Sequence, residues 1–403
     1  MGAWVARFLG PSQFGIVNYV QSLVFLFSII STLGLDEVVV KNLVSGRLAP
    51  REVLGTTFLL KFSGALVAIF LLFGTCLVLE TSADITTYVL IFSSSLLLGS
   101  FNVIDLYFQS KVLSRNVSIS GVISFFLINL IKVALILLNA SLAWFIVVLV
   151  LDILFLTIGL VYFYTKESGE SFRAWKWSKE VAIEMLKSSW PLIFSSIFIA
   201  AFMKIDQIMI KEILGDKSVG IYAAAAKISE IWYFIPLAVT SSLFPALINS
   251  MANSELYSVR LQRLFSFLIA ISLLVALFVT FFGNYIILLL YGRDFIEASS
   301  ILKMHIWSGV FVSIGLVNGK GLLAEGLQKY AMFNTGVGAL VNIVLNLFLI
   351  PTLGGKGAAI ATLASQVLSA YLCLLIFSKT RKRFFEITKS LFFLNIFKFI
   401  VRR

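Results

Sequence analysis

Eleven apolar runs, each long enough to cross a bilayer as helix, divide this chain of 403 residues almost from end to end. They are Phe14–Leu35, Val53–Leu79, Ile85–Phe108, Val117–Leu138, Leu142–Tyr164, Trp190–Ile210, Val219–Ile248, Leu264–Tyr291, Ser300–Gly319, Tyr330–Ile350 and Gly357–Phe377. A run of about 20 apolar residues spans the hydrocarbon core as an α-helix. A membrane barrel would show alternating segments of about 10 residues instead, and no such alternation is present. Only 13% of the residues are charged, against roughly 25% in a soluble domain. The sequence therefore predicts an all-α integral membrane protein with eleven transmembrane helices. The seventh and eighth runs are overlong and need tilt, a kink or interfacial ends. Pro236 and Pro245 supply a kink in the seventh, because proline removes a helix hydrogen bond.

The basic residues orient the chain. Of 32 Lys and Arg, 22 fall in one alternate set of loops and the C-terminal tail, 5 in the other set, and 5 within spans. Lys and Arg collect in cytoplasmic loops, so the basic connection Thr165–Ser188 and the C-terminus are expected in the cytoplasm. The formal net charge of +12 then reflects this bias and implies no nucleic-acid partner. Cys76 and Cys373 lie within apolar runs and read as small apolar residues, so no disulfide framework or metal site is indicated. The expected organisation is an N-terminal lobe over 1–164, a cytoplasmic linker over 165–188, a C-terminal lobe over 189–378 and a cytoplasmic tail over 379–403. Within the tail, Leu391–Val401 is too short to span and reads as an interfacial helix, its lysine beside anionic lipid.

The chain repeats itself. Leu9-Gly10-Pro11-Ser12-Gln13-Phe14-Gly15-Ile16 matches Leu214-Gly215-Asp216-Lys217-Ser218-Val219-Gly220-Ile221 at a constant offset of 205. Both copies are non-cytoplasmic turns that open a span. Six spans separate them, and an even number implies a parallel repeat with two six-helix-type bundles, as in several transporter folds. The second copy follows a full span, Trp190–Ile210, whereas the first follows only Met1–Phe8. The expectation is a parent of twelve spans, with most of the first helix missing here and a helical stub of about two turns in its place.

Arg7–Leu43, which reads RFLGPSQFGIVNYVQSLVFLFSIISTLGLDEVVVKNL, resembles the opening of polysaccharide flippases. These form the O-antigen (Wzx-type) branch of the multidrug/oligosaccharidyl-lipid/polysaccharide exporter superfamily. Asp105–Arg115 (DLYFQSKVLSR), Lys204–Glu230 (KIDQIMIKEILGDKSVGIYAAAAKISE) and Leu243–Leu247 (LFPAL) are similar to it as well. The resemblance implies a flippase of the bacterial plasma membrane. Its substrate would be an oligosaccharide repeat unit on undecaprenyl pyrophosphate, moved by alternating access without a cofactor. It implies membrane lipids as partners and leaves room for other polysaccharide assembly proteins.

An ionisable residue inside a span is costly and normally faces the bundle interior. Six such residues are candidates for a substrate cavity: Lys204, Asp206, Lys132, Lys61, Lys227 and Asp105. Lys204 and Asp206 lie two apart on one helix, point about 200° apart and so need separate partners. Ammonium groups in a watery cleft would compensate the pyrophosphate. The blander alternatives are a Lys227–Glu230 pair along one helix face, a Lys61 that snorkels to the interface, and an Asp105 paired with Lys111 or Arg115. Asp152 is a lone acid in the fifth span, and His305 reads as a packed or interfacial residue. No nucleotide-binding loop, zinc motif or nucleophile elbow is present. Two rival functions remain. A drug/cation antiporter of the same superfamily would have a mostly anionic cavity. A polysaccharide polymerase or glycosyltransferase would need larger outer loops than Glu80–Asp84, Asn139–Ser141, Lys211–Ser218, Gly292–Ser299 and Pro351–Lys356.

Overall fold

The computed structural model describes residues 2–391, the Pro191 side chain excepted. Within them eleven helical stretches are long and apolar enough to cross a membrane, one for every predicted span. The first span is α1 (Gly2–Thr32) with α2 (Asp36–Ser45), and the second is α3 (Pro50–Val78). The third is broken into α4 (Ala83–Ser93), α5 (Ser95–Gly99) and α6 (Val103–Ser110). Then come α7 (Ser114–Leu137), α8 (Leu142–Ser168) and α9 (Lys179–Leu214). The seventh span is α10 (Asp216–Ile231) with α11 (Phe234–Asn249), and the eighth is α12 (Ser254–Tyr291). The ninth pairs α13 (Ala298–His305) with α14 (Ser308–Ala324), and α15 (Gln328–Leu353) and α16 (Gly355–Ala370) follow. A last helix, α17, covers Ser378–Leu391.

The two overlong spans resolve differently. The seventh breaks at Trp232–Tyr233, four residues before Pro236. Proline has no N–H to give the Trp232 carbonyl, and that carbonyl accepts from the Ile235 N–H instead, at 3.1 Å. In contrast, α12 is one helix of 38 residues. At 1.5 Å per residue it is about 57 Å long, nearly twice the ~30 Å hydrocarbon core. A straight helix of that length tilts or extends past that layer, and Arg260 and Arg263 lie in its first three turns.

The connection expected over 165–188 is shorter and more ordered than its polarity suggests. Helix α8 continues to Ser168, and α9 begins at Lys179. Val181 and Met185, four apart and so on one helix face, are buried in a core with Leu35, Leu54, Ile104 and Leu160. The remaining residues dock on α3. The Lys176 N–H donates to the Arg51 carbonyl at 3.0 Å, and the Ser178 N–H donates to Thr56 Oγ1 at 3.0 Å. A Cβ on Gly55 would lie 2.5 Å from the Lys176 carbonyl oxygen, so this approach requires glycine there. Arg51 forks onto Glu170 at 2.6 and 2.9 Å, and its guanidinium holds that carboxyl below the ordinary range.

The basic tail also has structure. Helix α17 buries Arg383 and Ile387 and turns Lys379, Arg381, Lys382 and Lys389 outward. Phe384 stacks on Tyr371 with centroids 4.4 Å apart, and Arg383 pairs with Glu325. Beyond Leu391 itself, the stretch Leu391–Val401 lies outside the described residues.

The chain divides into two compact units. The first comprises Met1–Leu9 and Ile16–Lys204, the second Gly10–Gly15 and Ile205–Arg403. Residues Gly2–Leu9 are helical, in agreement with the expected stub, and end at a kink where Gly10 has φ 69° and ψ 171°. The equivalent residue of the second copy, Gly215, has φ 83° and ψ −179°. That backbone region is open essentially to glycine alone, so the two copies share a conformation as well as a spelling. They also pack on each other within the second unit. A Cβ on Gly15 would stand 1.9 Å from the Asp216 carbonyl oxygen, and a Cβ on Gly220 would stand 1.9 Å from the Pro11 carbonyl oxygen. Pro11 and Asp216 are themselves 205 apart, so the crossing is reciprocal.

This crossing predicts a sharp steric rule. Gly15→Val or Gly220→Val forces backbone apart and should destabilise by about 1–3 kcal/mol or more. Gly121→Ala, in α7 with nothing within 4 Å, should be neutral or stabilising, as alanine is the better helix former. Thermal midpoints in detergent check this. A Gly15→Val protein melting with the wild type would refute the close crossing.

Candidate functional site

The second unit holds a buried carboxylate. Asp206, near the end of α9, is 4% exposed. Three neutral side chains from three helices donate to it. Tyr222 of α10 reaches Oδ2 at 2.7 Å, Thr362 of α16 reaches Oδ2 at 2.6 Å, and Asn346 of α15 reaches Oδ1 at 2.6 Å. The Asn346 amide also donates to Asn342 Oδ1 at 3.1 Å, and Asn342 donates to Ser365 Oγ at 3.5 Å. Among the described residues Asp206 makes no ion pair.

Local sequence explains why these groups meet. Asn342 and Asn346 are four apart and share a face of α15. Thr362 and Ser365, three apart, do the same on α16. The α15–α16 hairpin closes tightly because position 357 is glycine: a Cβ there would be 2.1 Å from the Leu349 carbonyl oxygen. On α10, Tyr222 lies two residues past Gly220, whose crossing fixes the start of that helix.

Chemically, the arrangement is a buried carboxyl group whose described partners are all neutral. A buried charge is expensive unless it is paired and hydrogen-bonded, and here only neutral donors compensate it. The Asn346 Oδ1 atom, fully buried, has no partner. A carboxyl group held by two hydroxyls and an amide N–H can carry a proton, and its oxygens are of the kind that hard cations prefer.

The other sequence candidates fall elsewhere. Lys61 does not snorkel: its side chain is 2% exposed and its ammonium meets Asp36 Oδ1 at 2.5 Å. Asp105 is half-buried within reach of the charges of Asp36 and Lys61, and it makes no ion pair with Lys111 or Arg115 among the described residues. Lys132 is half-buried in α7 and feels the charge of Asp152 on α8. Asp152 is not lone, because Ser124 donates to its carboxylate at 3.0 Å. Lys204 is half-buried on α9. The Lys227 ammonium lies over the Phe14 ring, 4.8 Å from its centroid. His305 is packed, as expected, edge-on to Tyr222. The structure thus groups Lys61 with Asp36 and Asp105, and Lys132 with Asp152. It sets Asp206 among uncharged partners, Tyr222, Asn346 and Thr362. The available signal was the trio of asparagines at 334, 342 and 346 inside one apolar span.

Fold and site together define a polytopic α-helical membrane protein with a buried carboxyl group in its second unit. The chain belongs to the family described as Polysaccharide biosynthesis protein, which matches residues 3–251. The MatE family matches residues 191–348. Two curated relatives come from Haloferax volcanii. The probable low-salt glycan biosynthesis flippase Agl15 is 26% identical over 171 residues, 41% of this chain and 36% of that protein. The probable flippase AglR is 33% identical over 181 residues, 42% of this chain and 36% of that protein. The matches therefore span little more than a third of either relative. Among solved structures, an inward-facing multidrug resistance MATE family transporter of the MOP superfamily superposes with a TM-score of 0.75. It is 14% identical, with 96% of this chain and 94% of that one covered. The lipid II flippase MurJ, in an inward closed conformation, gives 0.72 at 15% identity, covering 100% and 90%. At such identities these two establish the fold.

If Asp206 binds a proton or a cation, removing its charge abolishes a measurable linkage. A ligand at 100 times its Kd stabilises the folded state by about 2.7 kcal/mol. The wild-type midpoint should rise with sodium, whereas that of Asp206→Asn should not, or the two midpoints should diverge as pH falls. An identical response in both proteins would exclude this site.

Proposed function

We propose that the protein is a flippase for a lipid-linked oligosaccharide of the undecaprenyl pyrophosphate type, working by alternating access in a bacterial plasma membrane. In this reading the Lys- and Arg-rich connections and the C-terminus face the cytoplasm, and the two lobes are the parallel repeats expected from the sequence. The observation that carries the reading is membership of the polysaccharide biosynthesis family over residues 3–251. Two relatives described as probable flippases and the fold shared with a lipid II flippase support it.

The residues fit the task. Lys132 and Lys204 are half-buried cations inside spans, where a pyrophosphate leaving the headgroup region needs positive charge. Asp206 plays a different part: it takes up a proton or small cation, and the free energy of that binding biases one conformation over another. Lys61 and Asp105 act with Asp36 as a structural ion cluster, and Lys227 packs on Phe14. A drug/cation antiporter is the second reading, favoured by the MatE match over residues 191–348, which includes Asp206.

Surface polysaccharide in cells whose own flippase is deleted provides the test. Lys132→Ala with Lys204→Ala should cut polysaccharide at least about tenfold, the loss of one good charge-assisted contact being worth 1.4 kcal/mol or more. The double Lys→Arg variant should be milder. Wild-type polysaccharide from the double alanine variant, at equal protein abundance, would remove both lysines from the mechanism.

A further inference from the structure

The buried face of α15 carries more amide than Asp206 uses. Asn334 is 4% exposed, and neither its Oδ1 nor its Nδ2 has a partner. Asn318 of α14 is also 4% exposed, and its Oδ1 has none. The two residues lie at matching depth in one hairpin. Asn318 is six residues before the end of α14 and Asn334 six after the start of α15, each about 9 Å along its helix. Further along α15, the buried positions Gly338, Asn342 and Asn346 follow in steps of four, each about 6 Å. The last of these holds the unpartnered Oδ1 beside Asp206.

In a bundle surrounded by lipid, such atoms have no solvent to fall back on. Buried polar groups without partners are rare. A water bound between two to four of them removes the deficit. Gly338 adds only backbone to this face, so nothing bulky on α15 separates the Asn334 level from the Asn342 level.

We infer that Asn318 and Asn334 form a hydrated polar station, continued by water along α15 to Asn342, Asn346 and Asp206. It connects the carboxylate with the Glu325–Leu327 turn of the second unit. The ligand is water, and through it the proton or small monovalent cation that Asp206 takes up. The ion thereby has a route within one unit, separate from the substrate's. The hydration stands on the unpartnered amides alone; the ion's use of it rests on the role proposed for Asp206.

Single cysteines on a background of Cys76→Ser and Cys373→Ser test the hydration. The probe is 2-aminoethyl methanethiosulfonate, small and water-soluble. Asn334→Cys should react at least ten times faster than Leu268→Cys, a control in the apolar core of the second unit that is 1% exposed. Equal slow rates would overturn the proposal. The second arm compares ion-dependent stabilisation and transport in Asn334→Leu and Asn334→Ser. The leucine variant should slow ion-coupled transport at least tenfold. The serine variant keeps a hydroxyl and should stay near wild type, and it decides the matter if the leucine variant misfolds. Full coupling with leucine, or collapse with serine despite a wild-type midpoint, would refute the route. A fast Asn334→Cys reaction in a protein whose stability ignores sodium and pH would instead refute the role of Asp206 and leave the hydration standing.

Discussion

The hydrogen bonds around Asp206 are the interaction on which the second unit depends. A carboxylate in a lipid-embedded bundle is tolerated only if the protein supplies what water would have supplied. Here α10, α15 and α16 each contribute one donor to the same group on α9. Moving any of these helices breaks a bond to a buried charge. The network therefore joins the geometry of four helices to the charge state of one side chain. That coupling is what an ion-driven conformational change requires.

The second constraint is steric. Gly15 and Gly220 exist because two backbones cross where no Cβ fits, and Gly10 and Gly215 adopt a conformation that side chains avoid. A spelling match eight residues long is weak in isolation. It becomes informative once the matched residues prove to be reciprocal partners, because each copy supplies both the glycine and the carbonyl that presses on the other copy's glycine. Tyr222 of the Asp206 network follows this crossing on α10, so the steric constraint positions one donor of the electrostatic one.

The spans were legible because apolar length is a strong signal in a membrane protein, and the break before Pro236 because proline lacks a donor. Other features were not. The segment 179–188 is polar on average, yet Val181 and Met185 share a face and fold into the core as the start of α9. The tail Ser378–Leu391 looks like a solvated basic stretch, yet Arg383 finds Glu325 and Ile387 fills the core. Lys61 stands out as a cation inside an apolar span, but its partner Asp36 lies on a different helix. The Asp206 partners do not stand out in the sequence because asparagine, threonine and tyrosine are uncharged, and their importance depends on which helix faces they meet across. Sequence spacing shows a shared face on one helix; it does not show which helix lies opposite.

We propose that a lipid-linked sugar is moved and that an ion at Asp206 drives it. The most direct measurement places purified protein in vesicles carrying a fluorescent undecaprenyl-pyrophosphate oligosaccharide, with a sodium or proton gradient imposed across the membrane. Quenching the outer leaflet then reports the lipid's distribution over time. The account predicts net accumulation in one leaflet with at least one of the two gradients, reversed when that gradient is reversed. A distribution indifferent to both gradients, or an unmoved lipid beside gradient-driven movement of a hydrophobic organic cation, would contradict it.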